Sequence, residues 1–362
     1  MKEVSSRQFI LIALFLIIAS KLMSMPTIMF DLAMNEAIFA IIFDMIIEIL
    51  LVFLICEVIK RNQNTNLFGL LKTKFTKVFA YVIMFILYVF VLFKLVFILQ
   101  ELFAFFKEFL YDEFEPFMFG IPTFFVIGYL ALKGPRTIGR TLEILFVFIS
   151  IGLLISIISN VNFITMDTMQ PYFANGFEGF WNGVSRGMFY FGNSIPLLFF
   201  VGKVKISKGF VKKVVSSTTV LGLLIIGFCF IFYDIYGMAT IYTIFALSDF
   251  TQYDPFILDL QRINWLSTIV DVVKLFCSAS ILLYCLAEAG QSLSKAKSTL
   301  GPIIVSLVLV YVGAIIFNYD IETLKNLVND YVSYITIGLM VLILVVGSIM
   351  CVKRRKNEKR NI

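Results

Sequence analysis

Long apolar runs separated by short polar connections occupy almost the whole chain. They fall at roughly 8–34, 38–59, 78–106, 117–132, 138–161, 182–202, 213–238, 265–289, 299–317 and 331–352. Most reach about 18 residues or more, the length that crosses ~30 Å of hydrocarbon as a helix. A barrel would show shorter segments of about ten alternating residues. The pattern therefore predicts an all-α integral membrane protein of about ten transmembrane helices, spans 1 to 10. Residues 1–352 form a single polytopic domain, and 353–362 a basic tail.

Charge in the connections supports this count. The N-terminus, the second, fourth, sixth and eighth connections and the tail hold 23 of the 30 basic residues. The opposite connections hold Lys107, Arg186, Arg262 and Lys325, and are acidic through Asp112, Glu113, Glu115, Asp167, Asp249, Asp254 and Asp320. Lys and Arg gather on the cytoplasmic side of spanning helices, so both termini are expected in the cytoplasm. The tail, Lys353 to Arg360, reads as a topology signal and a contact for anionic lipid. Nucleic acid is not an expected partner.

Composition narrows the chemistry. Sixty per cent of residues are apolar, 15% are charged, and mean hydropathy is +0.95. Histidine is absent, which excludes histidine bases, Ser-His triads and histidine metal sites. The five cysteines form no CxxC and sit within or at the ends of apolar runs, as small apolar residues do. Gly290-Gln291-Ser292-Leu293-Ser294 lacks the second glycine of a nucleophile elbow. No catalytic residue, cofactor or metal is expected.

Spans 1 and 6 carry matching polar interruptions. Span 1 reads Ala19-Ser20-Lys21-Leu22-Met23-Ser24-Met25-Pro26, and span 6 reads Phe189-Tyr190-Phe191-Gly192-Asn193-Ser194-Ile195-Pro196. The two Ser-x-Pro triplets lie 170 residues apart, at equivalent places in the two halves. Ten spans with this internal match suggest a 5+5 inverted repeat in which spans 1 and 6 are broken. Proline suits the first turn of a new half-helix. A broken helix exposes N–H groups to a carboxylate and carbonyls to an ammonium, a pair that suits an amino acid. Two ordinary proline kinks are the plainer reading of each helix alone. Ser20, Lys21, Ser24, Met25, Phe191, Gly192, Asn193 and Ser194 are the candidate ligand-binding residues.

Ionisable residues inside a membrane are costly and tend to face an interior or a cavity. Asp44 and Glu48 lie one turn apart in span 2, with Lys21 as a candidate partner. Lys94 and Glu101 share a face of span 3, and Asp271 and Lys274 sit three apart in span 8. Asp44, Glu48 and Glu101 are candidates for charge coupling; helix-locking ion pairs are the alternative.

These features together resemble the spore germination permeases, the B-type subunits of endospore nutrient germinant receptors. The likeness runs over about residues 5–352. It rests on Ser5-Ser6-Arg7-Gln8-Phe9, on the Ser20 to Pro26 segment, on Gly134-Pro135-Arg136-Thr137-Ile138-Gly139-Arg140-Thr141-Leu142-Glu143, and on Phe191-Gly192-Asn193-Ser194-Ile195-Pro196. The resemblance implies membership of the amino acid–polyamine–organocation superfamily and its LeuT-type fold. It also implies a spore inner membrane location, partnership with A-type and C-type receptor subunits, and binding of a small germinant, often an amino acid. It implies no enzymatic activity. Many members place small residues where this chain has Lys21, so the germinant itself does not carry over. A proton-coupled amino acid permease working alone is the second reading.

Overall fold

The computed structural model describes residues 4–109, 116–158, 174, 176–252, 263–317 and 321–351. The basic tail, Arg262 and the acidic residues Asp112, Glu113, Glu115, Asp167, Asp254 and Asp320 lie outside the described residues. Fourteen α-helices follow in order: α1 (Ser6–Ile18), α2 (Ser24–Ala33), α3 (Ala37–Arg61), α4 (Leu67–Lys74), α5 (Lys77–Phe109), α6 (Pro116–Lys133), α7 (Pro135–Ile158), α8 (Gly176–Gly187), α9 (Phe210–Tyr236), α10 (Ala246–Gln252), α11 (Ile263–Ser294), α12 (Leu300–Ile316), α13 (Ile321–Leu327) and α14 (Ser333–Cys351). Two short strands, β1 (Val4–Ser5) and β2 (Val204–Lys205), pair in parallel.

Among the described residues, six stretches are long and apolar enough to cross a membrane: Ser24–Arg61, Lys77–Phe109, Pro135–Ile155, Phe210–Tyr242, Ser267–Ser294 and Ile321–Cys351. The shorter Ser6–Ile18, Gly120–Lys133 and Leu300–Ile316 are also apolar. Phe125, Phe148, Leu223 and Ile335 are exposed on the outside while Lys21, Asp44, Glu48, Glu101, Asp271 and Lys274 are buried. Apolar outside and ionisable inside is the arrangement a bilayer solvent selects. The protein is a multi-pass membrane protein. Helices α5 and α11 form its centre, α11 packing against α1, α5, α6, α7, α10 and α12.

Two segments named above for their resemblance meet one another. Ser5 and Gln8 form a capping box that starts α1: Ser5 Oγ accepts from the Gln8 N–H, and Gln8 Oε1 accepts from the Ser5 N–H, both at 3.2 Å. A Cβ at Gly139 would lie 2.8 Å from Gln8 Cβ, so glycine there lets α7 approach α1. Arg7 Nε then stands 3.6 Å from Glu143 Oε1. Arg7 from α1, and not Arg140 three residues before Glu143 in α7, is thus the basic residue at ion-pair distance.

The basic connections converge on one end. Asn66, Lys133, Gly134, Lys203, Glu288 and Thr299 line one cavity of about 410 Å³ there. Val4 donates its N–H to the Lys203 carbonyl at 2.8 Å, and Arg61 Nη1 donates to the Cys351 carbonyl at 2.8 Å. Both described ends of the chain thus lie on this basic face. The last helical run is longer than the sequence pattern predicts. It begins at Ile321 and widens into a π turn at Val328–Val332 before α14.

Candidate functional site

The first interruption separates α1 from α2. Residues 19–23 form turns, with Lys21 N–H donating to the Ile18 carbonyl and the Met23 and Met25 N–H groups donating to the Ser20 carbonyl, each at 3.2 Å. Pro26 falls in the first turn of α2, where its missing N–H costs no helical bond. The carbonyls of Leu22 and Met23 are not bare, as the sequence reading expects. They accept from the Leu247 N–H at 3.0 Å and the Ala246 N–H at 2.9 Å, at the start of α10. Buried backbone polar groups demand partners, and here a short helix from a distant connection supplies them.

The second interruption follows α8. The chain tightens into a 3-10 turn at Met188–Phe191, bends at Gly192 and Asn193, and resumes as a 3-10 helix at Ile195–Phe200. Gly192 is needed for packing. A Cβ there would lie 2.8 Å from Thr336 Cγ2 and 3.2 Å from Phe90 Cζ. Ser333 accepts the Phe189 N–H at 3.3 Å and donates to the Arg186 carbonyl at 2.5 Å, tying the break to α14.

Side chains from α3 and α5 join the two breaks. The Lys21 ammonium pairs with Glu48. It lies 4.7 Å from the Phe191 ring centroid and 4.0 Å from Met45 Sδ. Glu48 also faces the backbone amide of Ser194. On α5, two turns apart, Glu101 accepts from the hydroxyls of Ser20 and Ser24 in the first break, while Lys94 donates to the Phe189 carbonyl and, at 2.8 Å, to Asn193 Oδ1 in the second. Lys94 Nζ sits 3.5 Å from the Phe189 ring centroid. Buried charges persist where they are paired and hydrogen-bonded.

Of the candidate ligand residues, Ser20, Lys21 and Ser24 from one break and Phe191, Asn193 and Ser194 from the other are thus brought together. Met25 and Gly192 are buried packing positions at the same place. Asp44 is fully buried beside Gly187, and neither of its carboxyl oxygens has a hydrogen-bond partner. Asn193 Nδ2 and Ser194 Oγ are also unpartnered. Away from this cluster, Lys274 Nζ pairs with Asp271 Oδ1 at 2.6 Å, as the spacing suggests, and Ser248 adds a hydrogen bond at 3.1 Å. Among the described residues, no three of His, Cys, Asp and Glu converge as metal ligands do.

Two features escape the sequence reading. One is the α10 segment, which closes over the first break. Its signal is weak, because seven residues carry no spanning run. The other is the glycine series Gly179, Gly183 and Gly187 along α8, a small-residue spacing that marks close helix approach. A Cβ at Gly183 would lie 2.8 Å from Ala33 Cβ and 2.9 Å from Ala40 Cβ. This glycine face presses α8 against α2 and α3 and holds the two breaks adjacent.

Residues 3–326 match the Spore_permease family, described as spore germination protein. The chain belongs to this family. The resemblance carried by the N-terminal, Gly134 to Glu143 and Gly192 segments is therefore a family relationship over nearly the whole chain. No curated protein matches the chain. Among solved structures, a mutant manganese transporter from Eremococcus coleocola is similar at a TM-score of 0.61, with 14% identity over 94% of this chain and 77% of the other. Two further mutants of that transporter reach 0.58 at 14% and 15% identity, with the same coverage. At such identity the likeness is one of fold: this spore germination family member shares the helical architecture of a transporter.

Proposed function

We infer that this chain is the ligand-sensing B-type subunit of a spore nutrient germinant receptor. It binds a small germinant, an amino acid in the first instance, between the broken spans 1 and 6. The observation that carries this reading is the position of Lys21, a residue of the first break, against Phe191 of the second. The two interruptions form one locality, and α3 and α5 supply it with charge. In this reading the chain is a ten-span, LeuT-type 5+5 repeat forming one membrane domain, with its tail and both termini in the cytoplasm, in the spore inner membrane.

Ligand binding biases an equilibrium between two conformations and passes the change to the A-type and C-type subunits. Only a ligand with unequal affinity for the two states can do so. The conformation described here is closed: the cluster is buried, and α10 occupies the carbonyls of the first break. A germination screen of a deletion strain against single nutrients tests the role. Loss of response to one nutrient class supports it, and an unchanged response to every nutrient contradicts it.

Three buried carboxyls near the breaks, Asp44, Glu48 and Glu101, favour one other reading, a proton-coupled amino acid permease. Uptake of labelled amino acid into proteoliposomes holding this chain alone would establish that reading.

A further inference from the structure

The buried polar groups between the breaks are unevenly matched. Lys21 faces two carboxyls, Asp44 and Glu48, which lie one turn apart on the same face of α3. It bonds Glu48 and leaves both oxygens of Asp44 without a partner, in a residue with no exposed surface. An acceptor buried in this way normally has a donor, and its absence is costly. The surroundings suit an organic ammonium. Lys21 is itself held by a carboxylate, an aromatic face at 4.7 Å and a thioether sulfur at 4.0 Å. An ammonium is attracted to such a face. Met29 brings a second thioether to Gly187, the residue beside Asp44: a Cβ at Gly187 would overlap Met29 Sδ.

The second break offers donors in Asn193 Nδ2 and Ser194 Oγ, both unpartnered. The Lys94 ammonium beside them is already directed at Phe189 and Asn193. A ligand carboxylate there would meet neutral donors, which serve an amide or ester carbonyl as well.

We propose that the ligand's obligatory group is a protonated amine received by Asp44, with Lys21 acting on the neighbouring Glu48 as a built-in stand-in for such an amine. The ligand's second polar group, met by Asn193 and Ser194, is an acceptor that need not be charged. The proposal rests on the germinant-site reading and names its ligand class: small primary amines bearing a carbonyl, with amino acids and their amides as members, and hydroxy acids and sugars excluded.

The test uses the full-length protein in lipid nanodiscs and thermal shift as the readout. The probes are the standard amino acids, L-alaninamide, ethylamine, L-lactate and glucose. The expected result is stabilisation by amine-bearing probes only, with L-alaninamide at least as effective as L-alanine. Asp44→Asn should keep the fold, because Asp44 bonds nothing internal, and should weaken amine binding by at least about tenfold, the value of a lost charge-assisted hydrogen bond. Lys21→Ala supplies an independent arm. It empties the ammonium position on Glu48, so ethylamine should stabilise this variant more than the wild type, an effect that a purely structural lysine would not give. Stabilisation by lactate or glucose, amine binding unchanged in Asp44→Asn, or no ethylamine effect in Lys21→Ala overturns the amine assignment while leaving a ligand site in place. Failure of every probe to shift any of the three proteins overturns the site reading and the amine assignment together.

Discussion

The backbone N–H of Ala246 donates to the carbonyl of Met23 at 2.9 Å, so the opening helix-breaking turn of this protein is closed by a helix 223 residues further along the chain. Leu247 does the same for Leu22 at 3.0 Å. Asp249 in turn accepts the N–H groups of Ile244 and Phe245, at 3.2 and 3.1 Å, which fixes the start of α10. The carbonyls that make a broken helix a binding site are thereby shielded in this conformation.

Replacing Ala246 with proline removes one of these donors while leaving α10 intact, since proline is tolerated in a first helical turn. An unsatisfied buried carbonyl costs about 1–3 kcal/mol. Hydrogen exchange across Ser20–Met25 should therefore rise about 5- to 150-fold in Ala246→Pro, with exchange in α5 and α11 unchanged. Mass spectrometry of exchanged peptides reads both segments in one experiment.

The same corner predicts a pH dependence. Burial, with Glu108 and Asp271 nearby, pushes the Asp249 carboxyl from 3.8 up to about 6, against the opposing pull of the two backbone N–H groups. The folded state then holds a proton that the unfolded state has released. This contribution to stability is full below about pH 4 and is lost as pH rises from about 4 to 6. Asp249→Asn should flatten that part of the profile, measured as the unfolding midpoint in detergent from pH 4 to 7. A variant profile that parallels the wild type over this window would contradict the assignment.

Lys21 and Glu48 form a pair with no solvent exposure on either side chain. Removing one partner leaves a buried charge alone, at a cost of about 3–5 kcal/mol. Lys21→Met and Glu48→Gln should each lower thermal stability strongly, and the double variant should recover most of the loss. A double-mutant cycle in detergent gives the coupling directly. Additive losses would show that the two groups act apart.

Glycine positions separate close packing from mere flexibility. Gly183→Ala forces a methyl against Ala33 and Ala40, and should destabilise by about 1–3 kcal/mol. Gly227, within α9, has nothing within 4 Å of a built Cβ. Gly227→Ala should be neutral or should stabilise by up to about 1 kcal/mol.

Much of the architecture is legible in the residue pattern because a bilayer imposes a simple rule: apolar runs must be long, and their connections must be polar. The break at residues 19–23, the interruption around Gly192 and the proximity of Lys21 to Glu48 all follow from proline, small polar residues and intramembrane charge. What is not legible is who satisfies whom across the chain. Nothing local in Ala246 or Leu247 announces that their N–H groups serve Met23 and Leu22. Gly192 reads as a place where backbone meets ligand, yet its hydrogen fills the gap between Thr336 and Phe90. Arg140 stands three residues before Glu143, yet Arg7 arrives from another helix. Such pairings depend on the packing of distant helices, which periodicity does not encode.

Germinant binding between the two breaks is the core of the proposed function. Its most direct test is protection of a cysteine placed there. Ser194→Cys is suited to this, because Ser194 Oγ makes no hydrogen bond, and it should be combined with Cys351→Ser, which removes the half-buried native thiol. In spore membranes, a nutrient that triggers germination through this receptor should slow modification of Cys at position 194 by a small thiol reagent in a concentration-dependent way. An unchanged modification rate in the presence of every such nutrient would contradict the account.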